Sequence, residues 1–388
     1  MRRLQTFAFA IASIFAATLA VAVAGAAAAP RVQVVATGLN SPKHLLYTSR
    51  GVYVVESGTG GPVGPSCVSA PPTEGPGATQ YCEGPTGAVA LIRGKHVSQA
   101  DGNLPSVVEE QEHEAAGPSA VTVSSSGKVS VLYQDALVQA NGSNGLPAPA
   151  STLFGTFQIS PGVSANLALF DAQHPQNAAT LGGTPGETTY DSDPYDVTAY
   201  RGGYAVTDAA ANGLLLVTKT GKISLLAHFP TLAETVPAGV FGPMAVPIKA
   251  QAVPTSVAVG PDGALYVGTL RGVPSEPGTA QIYRVVPGHA PTVWAKGLSA
   301  VTAIAFDSKG RLLATEYSSG GLLAAPKVPG ALVRISANGR HVATLPVKGL
   351  TEPTGVAVAP NGDVFVANFG TSAGTGTPSG EVLEITGL

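Results

Sequence analysis

Six times along the chain, a short run with apolar residues at alternate positions leads through a polar, Gly-containing turn into a second apolar run that ends on a polar residue. The copies are SPKHLLYTSRGVYVVES (41–57), GPSAVTVSSSGKVSVLYQ (117–134), DPYDVTAYRGGYAVTDA (193–209), VPTSVAVGPDGALYVGT (253–269), AVTAIAFDSKGRLLATE (300–316) and EPTGVAVAPNGDVFVAN (352–368). Pro42, Pro118, Pro194, Pro254, Val301 and Pro353 open them, at steps of 76, 76, 60, 47 and 52 residues. A period of two is the mark of a strand. Pro-Asp-Gly (261–263) and Pro-Asn-Gly (360–362) supply hairpin turns. A third strand follows each pair, at Ala88–Arg93, Asn166–Asp171, Leu214–Lys219, Gln281–Val286, Leu332–Ser336 and Glu381–Thr386. A fourth is readable at Lys95–Ala100, Lys222–His228, Pro291–Ala295 and Arg340–Leu345; behind the second copy it has no clear pattern.

Four-stranded units repeated around a circle are propeller blades. The sixth copy reaches Leu388 directly after its third strand, so nothing downstream supplies a fourth. Val32–Thr37, at the other end, is a strand without a hairpin partner. The pattern therefore predicts an all-β, six-bladed propeller closed by the N-terminal strand, which leaves no bare blade edge at the seam. An open solenoid would need capping units, and none is visible.

Residues 1–28 alter the picture of where this fold works. Arg2 and Arg3 precede an uncharged apolar run, Leu4 to Ala24, and then small residues up to Ala29. That is the layout of a secretory signal peptide, with cleavage expected after Ala28. The competing reading is an uncleaved membrane anchor, which the Ala-rich run and the cleavable motif disfavour. Residues 29–388 then form one domain, secreted or periplasmic, with no further apolar span to hold it in a membrane. Without Arg2 and Arg3, 19 basic residues face 24 acidic ones, and no basic stripe invites nucleic acid. The 48 Gly and 32 Pro suit many short strands joined by turns. Cys67 and Cys82, the only cysteines, read as one disulfide in an exported chain. Its closed loop would add roughly 3 kcal/mol. A metal pair is the weaker reading, because no His lies nearby.

In such a blade the connections from second to third strand, and from fourth strand to the next blade, leave on one face. The long insertions are nearly all of these kinds: 57–87, 101–117, 134–163, 172–192, 229–252, 317–330 and 369–380. Loops on a rigid scaffold carry function, so this face is the candidate for binding an unknown small molecule or protein. Second strands end there near Glu56, Asp208, Glu316 and Asn368, and first strands begin near Asp193 and Glu352. Oxygen ligands converging from several blades would suit a calcium ion. The plainer reading, which is preferred, is that each strand-end residue bonds the turn beside it. The acidic run Glu109–Glu114 reads as solvated surface. Gly370–Gly374 matches G-x-S-x-G, but lacks the strand–turn–helix context that gives the motif meaning. Asn141-Gly142-Ser143 is a glycosylation acceptor only in a host that glycosylates exported proteins. The seven His show no metal spacing.

Several stretches together resemble the ScyD/ScyE family of exported proteins: VVATGLNSPKHL (34–45), YCEGPTGAVALI (81–92), DSDPYDV (191–197), VTDAAANGLLLV (206–217) and VPTSVAVGPDGALYVGTLRGVPSEPGTAQIYRV (253–285). VTDAAANGLLLV also resembles an NHL repeat, in which Asp208 and Asn212 would brace the turn. The resemblance implies an extracytoplasmic six-bladed propeller and carries no catalysed reaction with it. More distantly, six-bladed propellers include calcium-dependent lactonases with Glu, Asn and Asp ligands at the channel mouth; Glu56, Asp208 and Asn368 are comparable in kind. The expectation is a non-catalytic binding or scaffold protein. The alternative is a lactonase-like hydrolase.

Overall fold

A computed structural model of the protein describes residues 29–62, 64, 67–70, 79–109, 115–134, 136–139, 146, 148–174, 189–240, 242–324, 328–371 and 379–388. The signal-peptide segment 1–28, residues 110–114 of the acidic run, Asn141–Ser143 and residues 372–374 of the G-x-S-x-G match lie outside the described residues. Among the described residues no helix is long and apolar enough to cross a membrane.

Six antiparallel sheets form the blades. Blade 1 contains Pro42–Thr48, Gly51–Glu56, Thr79–Arg93 and His96–Glu109. Blade 2 contains Pro118–Val123, Val129–Tyr133, Thr156–Ser160 and Val163–Asn166. Blade 3 follows with Pro194–Tyr200, Gly203–Asp208, Gly213–Val217 and Ile223–His228. Pro254–Val259, Leu265–Thr269, Ala280–Val285 and Thr292–Leu298 make blade 4. Val301–Phe306, Leu312–Glu316, Ala331–Ile335 and Val342–Thr344 make blade 5. In blade 6, Gly355–Val358, Val364–Asn368 and Gly380–Thr386 are joined by the N-terminal strand Arg31–Leu39. That strand runs antiparallel to Gly380–Thr386, with Arg31 opposite Thr386 and Leu39 opposite Gly380. The predicted closure is the one observed.

The alternation has a specific use in this ring. Successive residues of a strand face opposite sides of the sheet, and each blade has a neighbour on both sides. In blade 4, Leu265 and Val267 pack with Tyr200, Leu214 and Phe229 of the blade 3 side. Ala264 and Tyr266 pack with Ile304, Leu312 and Val333 of blade 5. The buried core is thus divided into six clusters, one at each blade–blade interface. Second strands such as Leu265–Thr269 are consequently buried along their whole length. Gly263, with φ of 73°, and Gly362, with φ of 93°, occupy the left-handed turn positions that the Pro-Asp-Gly and Pro-Asn-Gly sequences anticipate.

Blade 2 departs from the sequence reading. Its third strand is Thr156–Ser160, and the fourth begins at Val163, after a turn at Gly162 (φ 75°). Residues 167–171, expected to belong to the third strand, instead lie in the helix Leu167–Gln173. Asn166 caps it, its Oδ1 accepting from the Leu169 N–H at 2.7 Å, and Leu167, Ala168 and Ala172 are buried. The cap and the short helical spacing outweighed an apparent alternation. The fourth strand of blade 1 also runs on to Glu109, so most of the expected 101–117 loop is sheet.

Candidate functional site

The loop-rich face carries the extra elements. Cys67–Ala70 pairs with the extension of Thr79–Arg93, and Cys67 and Cys82, opposite each other, form the expected disulfide. Ala136–Gln139 pairs with Thr189–Ser192, and Leu232–Val236 pairs with Val246–Ala250.

Beneath these, the blades repeat one corner. The chain enters each first strand through a residue just before the opening position. In four blades that residue is non-glycine with positive φ: Ser41 (52°), Val253 (52°), Ala300 (43°) and Glu352 (46°). Backbone bonds hold this strained conformation. An N–H just past the second strand donates to the corner carbonyl, as in Ser57 to Ser41 (3.0 Å), Leu270 to Val253 (2.8 Å), Tyr317 to Ala300 (2.9 Å) and Gly370 to Glu352 (3.1 Å).

The predicted rim residues complete these corners. Glu56 Oε2 accepts the Asn40 N–H at 2.7 Å. Glu316 Oε1 accepts that of Ser299 at 2.8 Å, and Asn368 Oδ1 that of Thr351 at 2.7 Å. Asp208 Oδ1 accepts from Asp193 N–H and Ala211 N–H, each at 2.9 Å, while its Oδ2 accepts from Ser192 Oγ at 2.7 Å. All four are buried, Asp208 and Asn368 completely. Each bonds the chain entering its own blade. Asn212 braces the neighbouring link, with Oδ1 accepting from Val253 N–H at 3.0 Å and Nδ2 donating to Gln251. Among the described residues no three His, Cys, Asp or Glu side chains come together as a group able to hold a metal ion. Glu352, at another corner, accepts a short hydrogen bond from Thr371, whose hydroxyl also meets Tyr317 Oη at 3.0 Å.

Burial sets the protonation of these acids. It raises Glu56, against the pull of the Asn40 N–H, and pushes Glu316 up to about 7. Asp171, on the helix Leu167–Gln173, stands beside Asp208. Burial and that neighbouring charge push Asp171 up to about 9. Burial raises Asp208 as well, but its hydrogen-bond donors favour the ionised form, so the shared proton rests on Asp171. A raised carboxyl keeps its proton in the fold where the unfolded chain has released it. Stability is therefore full below the ordinary carboxylate values and is lost as pH rises, from about 4 to about 9 for Asp171 and to about 7 for Glu316. The fall should reach about 1.4 kcal/mol per pH unit for each titrating group. Asp171→Asn should flatten the upper part of this profile in urea unfolding at pH 5 to 9. A wild-type midpoint that does not move with pH would rule out the protonated state.

The inner strands add an arrangement the pattern did not single out. Hydroxyls one residue past the opening position reach the next blade. Ser119 donates to Pro194 O at 2.9 Å, Thr255 to Val301 O at 2.6 Å, Thr302 to Pro353 O at 2.7 Å, and Thr354 to Pro42 O across the seam. At the following register, His44 Nδ1 of blade 1 meets Asp196 Oδ1 of blade 3 at 3.0 Å. Asp196 also accepts the N–H groups of Val197 (2.7 Å) and Val257 (2.8 Å), so one carboxylate ties three blades. The signal was available in the aligned copies, where blades 2, 4, 5 and 6 carry Ala120, Ser256, Ala303 and Gly355. Only His44 and Asp196 can form an ion pair at that register.

Residues 175–386, more than half of the chain, match the model of the SMP-30/Gluconolactonase/LRE-like region. The chain belongs to this family. Solved structures with a similar course include a glucose dehydrogenase (14% identity, 92% of this chain and 99% of that chain, TM-score 0.48). Virginiamycin B lyase from Staphylococcus aureus is similar at 13% identity, covering 92% and 99%, with a TM-score of 0.45. A putative gluconolactonase is similar at 8% identity, covering 92% and 91%, with a TM-score of 0.42. At these identities the likenesses say nothing about activity. No curated protein matches the sequence. Membership of the family does not by itself fix the chemistry of this chain, which lies in its own side chains.

Proposed function

We propose that this member of the SMP-30/gluconolactonase-like family is an exported, non-catalytic binding propeller whose loop-rich face holds a small molecule or protein. One observation carries the reading: the rim side chains that a hydrolase would need are committed to corner N–H groups. Glu56, Asp208, Glu316 and Asn368 lie in four different blades, each with its own backbone partner. That arrangement does not fit a calcium ion shared among the four. The export part rests on the signal-peptide pattern of residues 1–28 and is supported by the Cys67–Cys82 disulfide, a feature of oxidising compartments. The narrower ScyD/ScyE resemblance points the same way.

The second reading, a calcium-dependent lactonase-like hydrolase, is favoured by the family match, whose description includes gluconolactonase. Metal analysis separates the two. The binding reading expects no stoichiometric divalent ion in the purified protein, no change of melting temperature with chelator, and no hydrolysis of sugar lactones with added calcium. A stoichiometric ion that is lost in both Glu56→Gln and Asp208→Asn would overturn it.

A further inference from the structure

Between blades 3 and 4 the chain makes a hairpin, Leu232–Val236 with Val246–Ala250, that pairs with no blade. Beneath it lies Arg271, two residues past the second strand of blade 4. Gly58, Ala210, Ser318 and Gly370 hold the matching places in blades 1, 3, 5 and 6, so the blade architecture needs no large side chain there. Arg271 is in the left-handed region, with φ of 73°, and its N–H is tied to Ala252 O at 3.1 Å.

The side chain of Arg271 is fully buried and that of Glu234 is 5% exposed. Their contact is nevertheless poor. Nη2 donates to Glu234 Oε1 at 3.2 Å and to Ala250 O at 3.3 Å. Arg271 Nε and Nη1, and Glu234 Oε2, are buried without a hydrogen-bond partner. A guanidinium matches a carboxylate with two parallel N–H···O bonds, and Glu234 uses only one oxygen, at the long end of the range. Leaving buried donors unpaired is unfavourable. A second carboxylate able to take two of these donors would therefore compete well with Glu234. Both groups tying the guanidinium, Glu234 and Ala250 O, belong to the hairpin, so displacing one loosens the other.

We propose that the hairpin is a lid, that Glu234 is a built-in competitor occupying the site, and that Arg271 receives the carboxylate of a small-molecule ligand when the lid opens. This rests on the loop-rich face being a binding face, but involves none of the corner acids. A failure here leaves the metal result standing, and the converse also holds.

The experiment uses the full-length protein with acetate, glycolate and benzoate as probes, read by calorimetric titration and by hydrogen exchange of residues 232–236 and 246–250. Wild type should bind at least one probe weakly. Glu234→Gln should bind it about tenfold tighter and exchange the hairpin amides faster. Adding Arg271→Lys to Glu234→Gln should lose most of that gain, because a lysine keeps the charge but cannot offer the paired donors. Absence of binding to all probes in Glu234→Gln would overturn the proposal. So would binding that Arg271→Lys leaves unchanged, or hairpin exchange identical in wild type and Glu234→Gln.

Discussion

A chain lacking residues 31–37 should melt on the order of 5–10 °C below the full-length protein and self-associate on standing. The deleted segment supplies six of the seven Cα pairs that join the N-terminal strand to Gly380–Thr386. It also removes Val35 and Ala36 from the cluster between blades 6 and 1, where they pack near Leu45, Val54, Phe365 and Val382. Losing that apolar burial and most of one ladder costs about 5 kcal/mol. The cost falls on a blade whose other strands start at Gly355, at the opposite end of the sequence. Added in trans, a peptide spanning Arg31–Leu39 should restore part of the melting temperature by strand addition. Calorimetry with and without that peptide is the measurement. Melting unchanged by the deletion would mean that the ring closes without this strand.

Asp208→Ala should be the most damaging of the corner substitutions. It leaves Ser192 Oγ–H, Asp193 N–H and Ala211 N–H without their acceptor in a fully buried place. Stranded buried donors cost about 1–3 kcal/mol each, so a net loss of about 3 kcal/mol is expected after local rearrangement. Glu56→Ala strands one N–H, that of Asn40, and should cost about a third as much. Asp208→Asn keeps a carbonyl oxygen and should fall between them. The pH dependence is the distinctive part. Removing Asp208 also removes a charge that holds Asp171 protonated, so the loss should be larger at pH 5 than at pH 8. Urea unfolding at both pH values checks this. If the loss instead appears only in protein carrying calcium, and chelator brings the wild type down to the variant, the corner role is wrong and a metal role right.

Strand-end acids were recognisable from the repeat, as was the plainer possibility that each bonds its own turn. Their direction was not, because it depends on the positive-φ corner before each first strand. Val253 and Ala300 are not residues whose identity announces that conformation. Blade 2 misled because Asn166 ends one strand and caps a helix at once, a double role visible only when Val163–Asn166 has found its partner. Arg271 and Glu234 carried no signal beyond the smallness of Gly58, Ala210, Ser318 and Gly370 at the same register.

What the sequence alone determined is the six-bladed ring, its seam and the crowded face. Strand period and turn chemistry are local, and the strand count leaves the N-terminal segment as the one available partner for the last blade. The tertiary structure decided what each polar side chain meets. Asp196 bonds blades 1 and 4, Thr354 reaches Pro42 across the seam, and Arg271 sits under a hairpin from the preceding linker. The physical reason is that a strand needs only its own alternation to exist, whereas a buried hydrogen bond needs two atoms placed within about 3 Å. Only the closed ring brings those blades that near.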